Sequence, residues 1–158
     1  MPFVEVNGHK LHYVDSHPQG APKNGLTFIF NHGLGSTQNF YGAVTPYLTP
    51  NHRCIAFDTY GASRSVYTGQ EITIASIAKD IIALMDSFKI PQAVVVGHSM
   101  GGLVVSLLGA EYPDRIQGVV AIGPTYPSET LSTVMKDRAK LVASCMSLPR
   151  SEEGDQKD

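Results

Sequence analysis

Hydrophobic and polar positions alternate along this chain with two different periods. Phe3-Val4-Glu5-Val6 and Leu11-His12-Tyr13-Val14 are short alternating runs, and the Asn7-Gly8 pair between them is a hairpin-turn signal. Residues 15–25 are rich in proline, glycine and polar side chains and read as a loop. Leu26 to Phe30 and Arg53 to Phe57 are compact runs bounded by turn residues, which suits strands buried on both faces. Between them, Thr37 to Leu48 reads as one short helix whose end is limited by Pro46. From Thr73 to Phe88, apolar residues recur at 74, 77, 81, 84, 85 and 88, a helical spacing. Ala93 to Val96 is another buried strand, Gly102 to Tyr112 a helix stopped by Pro113, and Gln117 to Ile122 a last strand.

The order is a hairpin, three strand–helix units and a strand. That alternation predicts the α/β class: a mostly parallel sheet with helices on both faces and an N-terminal hairpin. Residues 1–127 form the core in this reading. Residues 128–148 start a polar helix, a lid or crossover, and residues 149–158 form a disordered tail with no apolar side chain after Pro149.

Composition narrows the function classes. Hydrophobic residues make up 42% of the 158 and charged residues 16%, below the roughly 25% usual for soluble domains, which suits a packed core. The net charge of −2 comes without a basic stripe, so nucleic acid is not an expected partner. No apolar run is long enough for a membrane span, and the first residues lack the pattern of a signal peptide. Cys54 and Cys145 have no metal-ligand spacing. The expected setting is cytoplasmic, with no metal and no cofactor.

The chemistry concentrates at Gly97-His98-Ser99-Met100-Gly101. A valine strand runs into this turn and a helix leaves it. A serine held at such a sharp turn projects from the sheet edge, and the flanking glycines let strand and helix cross closely. The helix N-terminus beside it favours negative charge. A solvent-facing serine in a glycine-rich connection is the plainer alternative, but the strand–turn–helix context favours a nucleophile elbow.

Three segments carry a family resemblance: Asn31-His32-Gly33-Leu34-Gly35-Ser36, Asp58-Thr59-Tyr60-Gly61-Ala62-Ser63-Arg64-Ser65, and Gly97 to Gly102. With Glu111-Tyr112-Pro113-Asp114-Arg115-Ile116 behind them, they resemble the N-terminal part of α/β-hydrolases of the lactonase and esterase type, 3-oxoadipate enol-lactonases in particular. The resemblance implies hydrolysis of a small carboxylic ester or lactone through an acyl-enzyme on Ser99. It implies an oxyanion hole from the backbone amides of Leu34 and Met100, with His32, Gly33, Gly97, His98 and Gly101 supporting the motifs. It also implies that the third and fifth strands are neighbours. The second segment departs from the family's usual Asp-x-Arg-Gly-x-Gly, having Tyr60 for the arginine and Ser63 for the second glycine, which puts an arginine-braced loop in doubt.

A serine needs a base, and the base an orienting acid. The family order is serine, acid, histidine, yet no histidine follows His98. His32 sits in the oxyanion turn and reads as a bracing residue. His98 reads as a packed, satisfied side chain. Asp58 reads as a loop brace. The expectation is a core truncated after about the sixth strand, leaving an exposed apolar edge open to self-association. A catalytically inactive fragment or binding module is the competing reading.

Overall fold

The computed structural model describes residues 2–125, so the polar helix and tail expected over 128–158 lie outside the described residues. Within them, β1 (Phe3–Val6) and β2 (His9–Asp15) form the hairpin, with Asn7 and Gly8 at φ 50° and 79° in the turn between them. There follow β3 (Thr27–Asn31), a 3-10 turn (Gln38–Tyr41), α1 (Thr45–Leu48), β4 (Arg53–Phe57), α2 (Ile74–Ser87), β5 (Ala93–His98), α3 (Met100–Glu111) and β6 (Ile116–Ile122). The predicted bounds of β4 are reproduced, and α2 begins one residue after Thr73, which caps it. The Thr73 hydroxyl accepts from the Ser76 N–H, and the Ser76 hydroxyl accepts from the Thr73 N–H. This reciprocal pair satisfies two of the helix's orphan donors.

The single helix expected over Thr37–Leu48 is instead two short pieces. Pro46 lacks an N–H and so sits at no cost in the first turn of a helix. It occupies that place in α1, so it starts a second helix rather than ending a first. The strand and helix flanking Ser99 also extend further than the sequence pattern indicates, β5 to His98 and α3 back to Met100.

The six strands lie in the order β1-β2-β4-β3-β5-β6. The β1/β2 and β2/β4 pairs are antiparallel and the remaining three are parallel. β3 therefore has β4 on one side and β5 on the other, as the resemblance implied. Asn31 stands opposite both Phe57 and Gly97, so β3, β4 and β5 end at one level. A crevice opens in α/β sheets where connections leave a strand in opposite directions, outside the C-terminal ends. Here that point is the end of β3.

Alternation divides the strands between two cores. Ile29, Ile55, Phe57 and Val95 pack towards α2 and α3 in the larger one, with Ile77, Ile81, Leu84 and Leu108. Phe30, Cys54, Ala56 and Val96 face the other way, under Tyr41 of the 3-10 turn. Helical segments thus cover both faces, although α2 and α3 share one and only the 3-10 turn and α1 lie on the other among the described residues.

Two histidines of the hairpin are buried and tied to carboxylates distant in sequence. His9 Nδ1 lies 2.7 Å from Asp80 of α2, and its Nε2 2.6 Å from the Gln70 side-chain oxygen, while the ring stacks on Tyr60 at 3.9 Å. Burial opposes the charged imidazole, but the bonds to Asp80 and Gln70 outweigh it and raise the His9 pKa. His12 Nδ1 lies 3.1 Å from Asp58, the residue that follows β4. Among the described residues no helix is long and apolar enough to cross a membrane.

Candidate active site at Ser99

The turn between β5 and α3 is strained where the sequence indicates it. Ser99 has φ 54° and ψ −115°, a left-handed conformation that favours glycine. The Ser99 N–H donates to the Ile122 carbonyl at 3.0 Å, and its own carbonyl accepts from the Gly102 N–H at 2.9 Å. Ser99 also stands at the N-cap of α3, where a serine hydroxyl ordinarily accepts from the helix backbone. It makes no such bond. The helix forgoes a stabilising cap, and among the described residues the hydroxyl has no hydrogen-bond partner.

Close packing makes the turn possible. A Cβ on Gly97 would fall 2.0 Å from the Gly101 carbonyl oxygen, and one on Gly101 would fall 2.2 Å from the Asn31 carbonyl oxygen. Strand, helix and β3 therefore touch backbone to backbone beneath Ser99. A Cβ on Gly33 would lie 3.2 Å from Ser99 Cβ and 3.1 Å from His98 Nδ1. The His32-Gly33-Leu34 turn is thus brought against Ser99 across the sheet, although the two segments are far apart in sequence. Met100 is the first residue of α3, so its N–H has no intrahelical acceptor. Leu34 is 43% exposed, on the rim of the crevice.

His32 braces this turn from inside. Its Nε2 accepts from the Thr59 N–H at 3.1 Å, so that nitrogen is unprotonated and Nδ1–H donates to the Gly33 carbonyl at 2.8 Å. Both ring nitrogens are spent, and burial pushes the pKa below its usual value. The sign of the pH effect follows. A group held neutral by folding contributes stability that is complete above about 6.5 and is lost as pH falls through its folded pKa. His9, with its raised pKa, works in the opposite direction over the same interval, so the His32 effect is read as a difference: between pH 7 and pH 5 the urea midpoint of His32→Asn is expected to change more favourably than that of wild type. An equal change in both would place the acid sensitivity elsewhere.

Asp58 braces the same edge. Its carboxylate accepts from the Gln38 N–H at 2.8 Å and meets His12, and its carbonyl accepts from the Ser65 hydroxyl at 2.6 Å. Tyr41 donates its hydroxyl to the Asn31 carbonyl at 2.8 Å, pinning the end of β3, and burial pushes that phenol up to about 12. The doubt about the loop after β4 is also resolved. Tyr60 is buried and its hydroxyl accepts from the Thr68 N–H at 2.6 Å and the Gln70 N–H at 3.3 Å, so in this chain a tyrosine braces the loop.

His98 departs from the expectation of a satisfied side chain. Its ring stacks on Phe40 at 4.4 Å, but Nδ1 is buried without a hydrogen-bond partner among the described residues. The Asn31 side chain is likewise buried, with neither amide atom paired among the described residues. Both residues lie within the sequence motifs, but nothing in the motifs marks their polar atoms as unpaired. All six histidines fall within the described residues, and no hydrogen bond among them reaches Ser99. His17 meets Ser16 and His52 accepts from the Leu26 N–H, both away from this edge. Cys54 offers no alternative nucleophile, since burial pushes its thiol up to about 11.

The alpha/beta hydrolase fold family matches residues 27–148, and the chain belongs to that family. It is 31% identical over 124 residues to the cis-3-alkyl-4-alkyloxetan-2-one decarboxylase of Shewanella oneidensis, covering 76% of this chain and 37% of that protein. It is 30% identical over 131 residues to RutD of Variovorax paradoxus, named as a carbamate hydrolase, covering 79% and 48%. The solved enol-lactonase from Burkholderia xenovorans LB400 superposes with a TM-score of 0.74 at 27% identity, over 94% of this chain and 59% of that one. The chain thus spans less than half the length of these curated relatives.

Proposed function

We propose that this chain carries the nucleophile half of a serine hydrolase acting on small carboxylic esters or lactones. The observation that carries the reading is Ser99 itself, a strained N-cap residue whose hydroxyl does not cap its helix. Backbone strain of about 1–3 kcal/mol persists only where surrounding structure holds it, and such positions cluster at functional sites.

In this reading Ser99 Oγ attacks the substrate carbonyl carbon and gives up its proton to a base. The carbonyl π pair moves onto oxygen, and the resulting oxyanion is met by the N–H groups of Met100 and Leu34, reinforced by the N-terminus of α3. Collapse expels the alkoxide, which takes the proton, and leaves an acyl group on Ser99. Water then enters by the same steps and releases the acid. The glycines at 33, 97 and 101 set the approach of the three backbones, and His32 holds the oxyanion turn. None of the six histidines supplies the base by hydrogen bond, so the reading requires one from elsewhere. The lactonase and carbamate hydrolase relatives support a small acyl substrate.

A non-catalytic pairing module is the second reading, and the sixth strand favours it. Val119, Val120 and Ile122 are each more than 40% exposed on β6, the last strand of the sheet among the described residues, an invitation to pair with a second copy. One experiment separates the two. The chain is treated with a fluorophosphonate, digested and mapped by mass spectrometry, with native mass measured in parallel. A Ser99 adduct that vanishes in Ser99→Ala is expected. A folded chain without adduct, whose native mass is a multiple of 17.0 kDa that Val120→Lys returns to one copy, would leave the pairing module standing.

A further inference from the structure

We propose that Phe40 selects the substrate, offering a flat aromatic wall beside Ser99 to a planar, unsaturated or aromatic group attached to the reacting carbonyl. The proposal rests on the reading of Ser99 as the reacting residue. Phe40 lies in the 3-10 turn, and its ring is fixed by two others. It stacks on His98 at 4.4 Å and 20° between planes, and meets Tyr41 edge-on at 5.1 Å and 86°. Nevertheless it is 47% exposed, so much of the ring remains open.

The position of this stack ties it to the reaction. His98 precedes Ser99 in the chain, and its Nδ1 faces the same Gly33 backbone that faces Ser99 Cβ. The His98 side of this stack and Ser99 therefore border the same Gly33 backbone, and Leu34, 43% exposed, follows Gly33 in that turn. The turn bearing Phe40 is itself held by the Gln38 N–H bond to Asp58 and by the buried Tyr41. A ring immobilised on its neighbours loses little freedom when a ligand covers it, which favours binding. Offset aromatic stacking adds about 0.5–1.5 kcal/mol beyond area, a preference for a planar group of roughly two- to tenfold over an alkyl chain of equal size.

The test uses binding by the unreactive Ser99→Ala chain, so it does not depend on the serine's chemistry. Methyl cinnamate and methyl nonanoate, matched in carbon number, are titrated by ligand-observed NMR. The Ser99→Ala chain is expected to favour the cinnamate by about two- to tenfold. Adding Phe40→Ala or Phe40→Leu should bring the ratio to about one, and adding Phe40→Tyr should keep it. Far-UV dichroism identifies any variant that fails to fold, and the leucine and tyrosine variants stand in for an unfolded alanine. An unchanged ratio in a folded Phe40→Leu chain, or binding of neither ester, overturns the proposal. Absence of a fluorophosphonate adduct, by contrast, counts against the reactive serine and leaves the binding ratio to be judged separately.

Discussion

Gly97→Ala is expected to cost about 3 kcal/mol or more, the largest effect of any single methyl group in this protein. The added carbon would stand 2.0 Å from the Gly101 carbonyl oxygen and 2.4 Å from the Gly101 carbonyl carbon. Both are backbone atoms in the first turn of α3, and α3 in turn lies against the β3 backbone through Gly101. No side-chain rotation relieves the overlap. The strand and helix must separate, and with them goes the bond from the Ser99 N–H to Ile122. Gly118→Ala in β6 is the control, because its nearest neighbours would be the Val94 methyl groups at 3.6 and 3.7 Å, an ordinary contact. That change should be neutral or gain a few tenths of a kcal/mol from a stiffer unfolded chain. Urea unfolding followed by far-UV dichroism measures both. Equal midpoints for the two variants would mean that β5 and α3 do not cross this closely in solution.

Ser99→Gly is expected to do the opposite, raising stability while abolishing covalent labelling. Glycine adopts φ 54° without the steric cost that serine bears. Relief of about 1–3 kcal/mol is offset by the greater entropy glycine has in the unfolded chain, leaving a net gain near 1 kcal/mol. Ser99→Ala keeps the Cβ and the strain, so it should lose labelling with little change in midpoint. The pair separates the two contributions: the hydroxyl governs reaction and the backbone governs stability. A glycine variant no more stable than the alanine variant would show that the turn is not strained.

These effects centre on a segment legible in the sequence for a local reason. A valine strand, a Gly-x-Ser-x-Gly turn and a helix are contiguous, and the geometry they require depends on residues within a few positions of one another. The hairpin was legible for the same reason, since Asn7-Gly8 supplies the positive φ values that its turn needs. The region from 37 to 48 was read less well. Pro46 stops one helix or starts another according to where the chain is going, and its sequence does not distinguish the two. By sequence alone Tyr60 registers only as a departure from the family's arginine, because its three hydroxyl contacts depend on how the loop closes over it.

What the sequence by itself determined is the alternation of strand and helix, the place of the serine turn and the family to which these belong. Each follows from periodicities and turn chemistry expressed over a few residues. Only the tertiary structure decided what surrounds Ser99. It brought Gly33 against Ser99 by placing β3 beside β5, stacked Phe40 on His98, and among the described residues left the Nδ1 of His98 without a partner where a satisfied side chain is expected. It also spent the remaining histidines elsewhere, joining His9 to Asp80 across 71 residues and His12 to Asp58 across 46. Contacts at such separations depend on strand order and register, which are properties of the assembled sheet and leave no mark within any short stretch of chain.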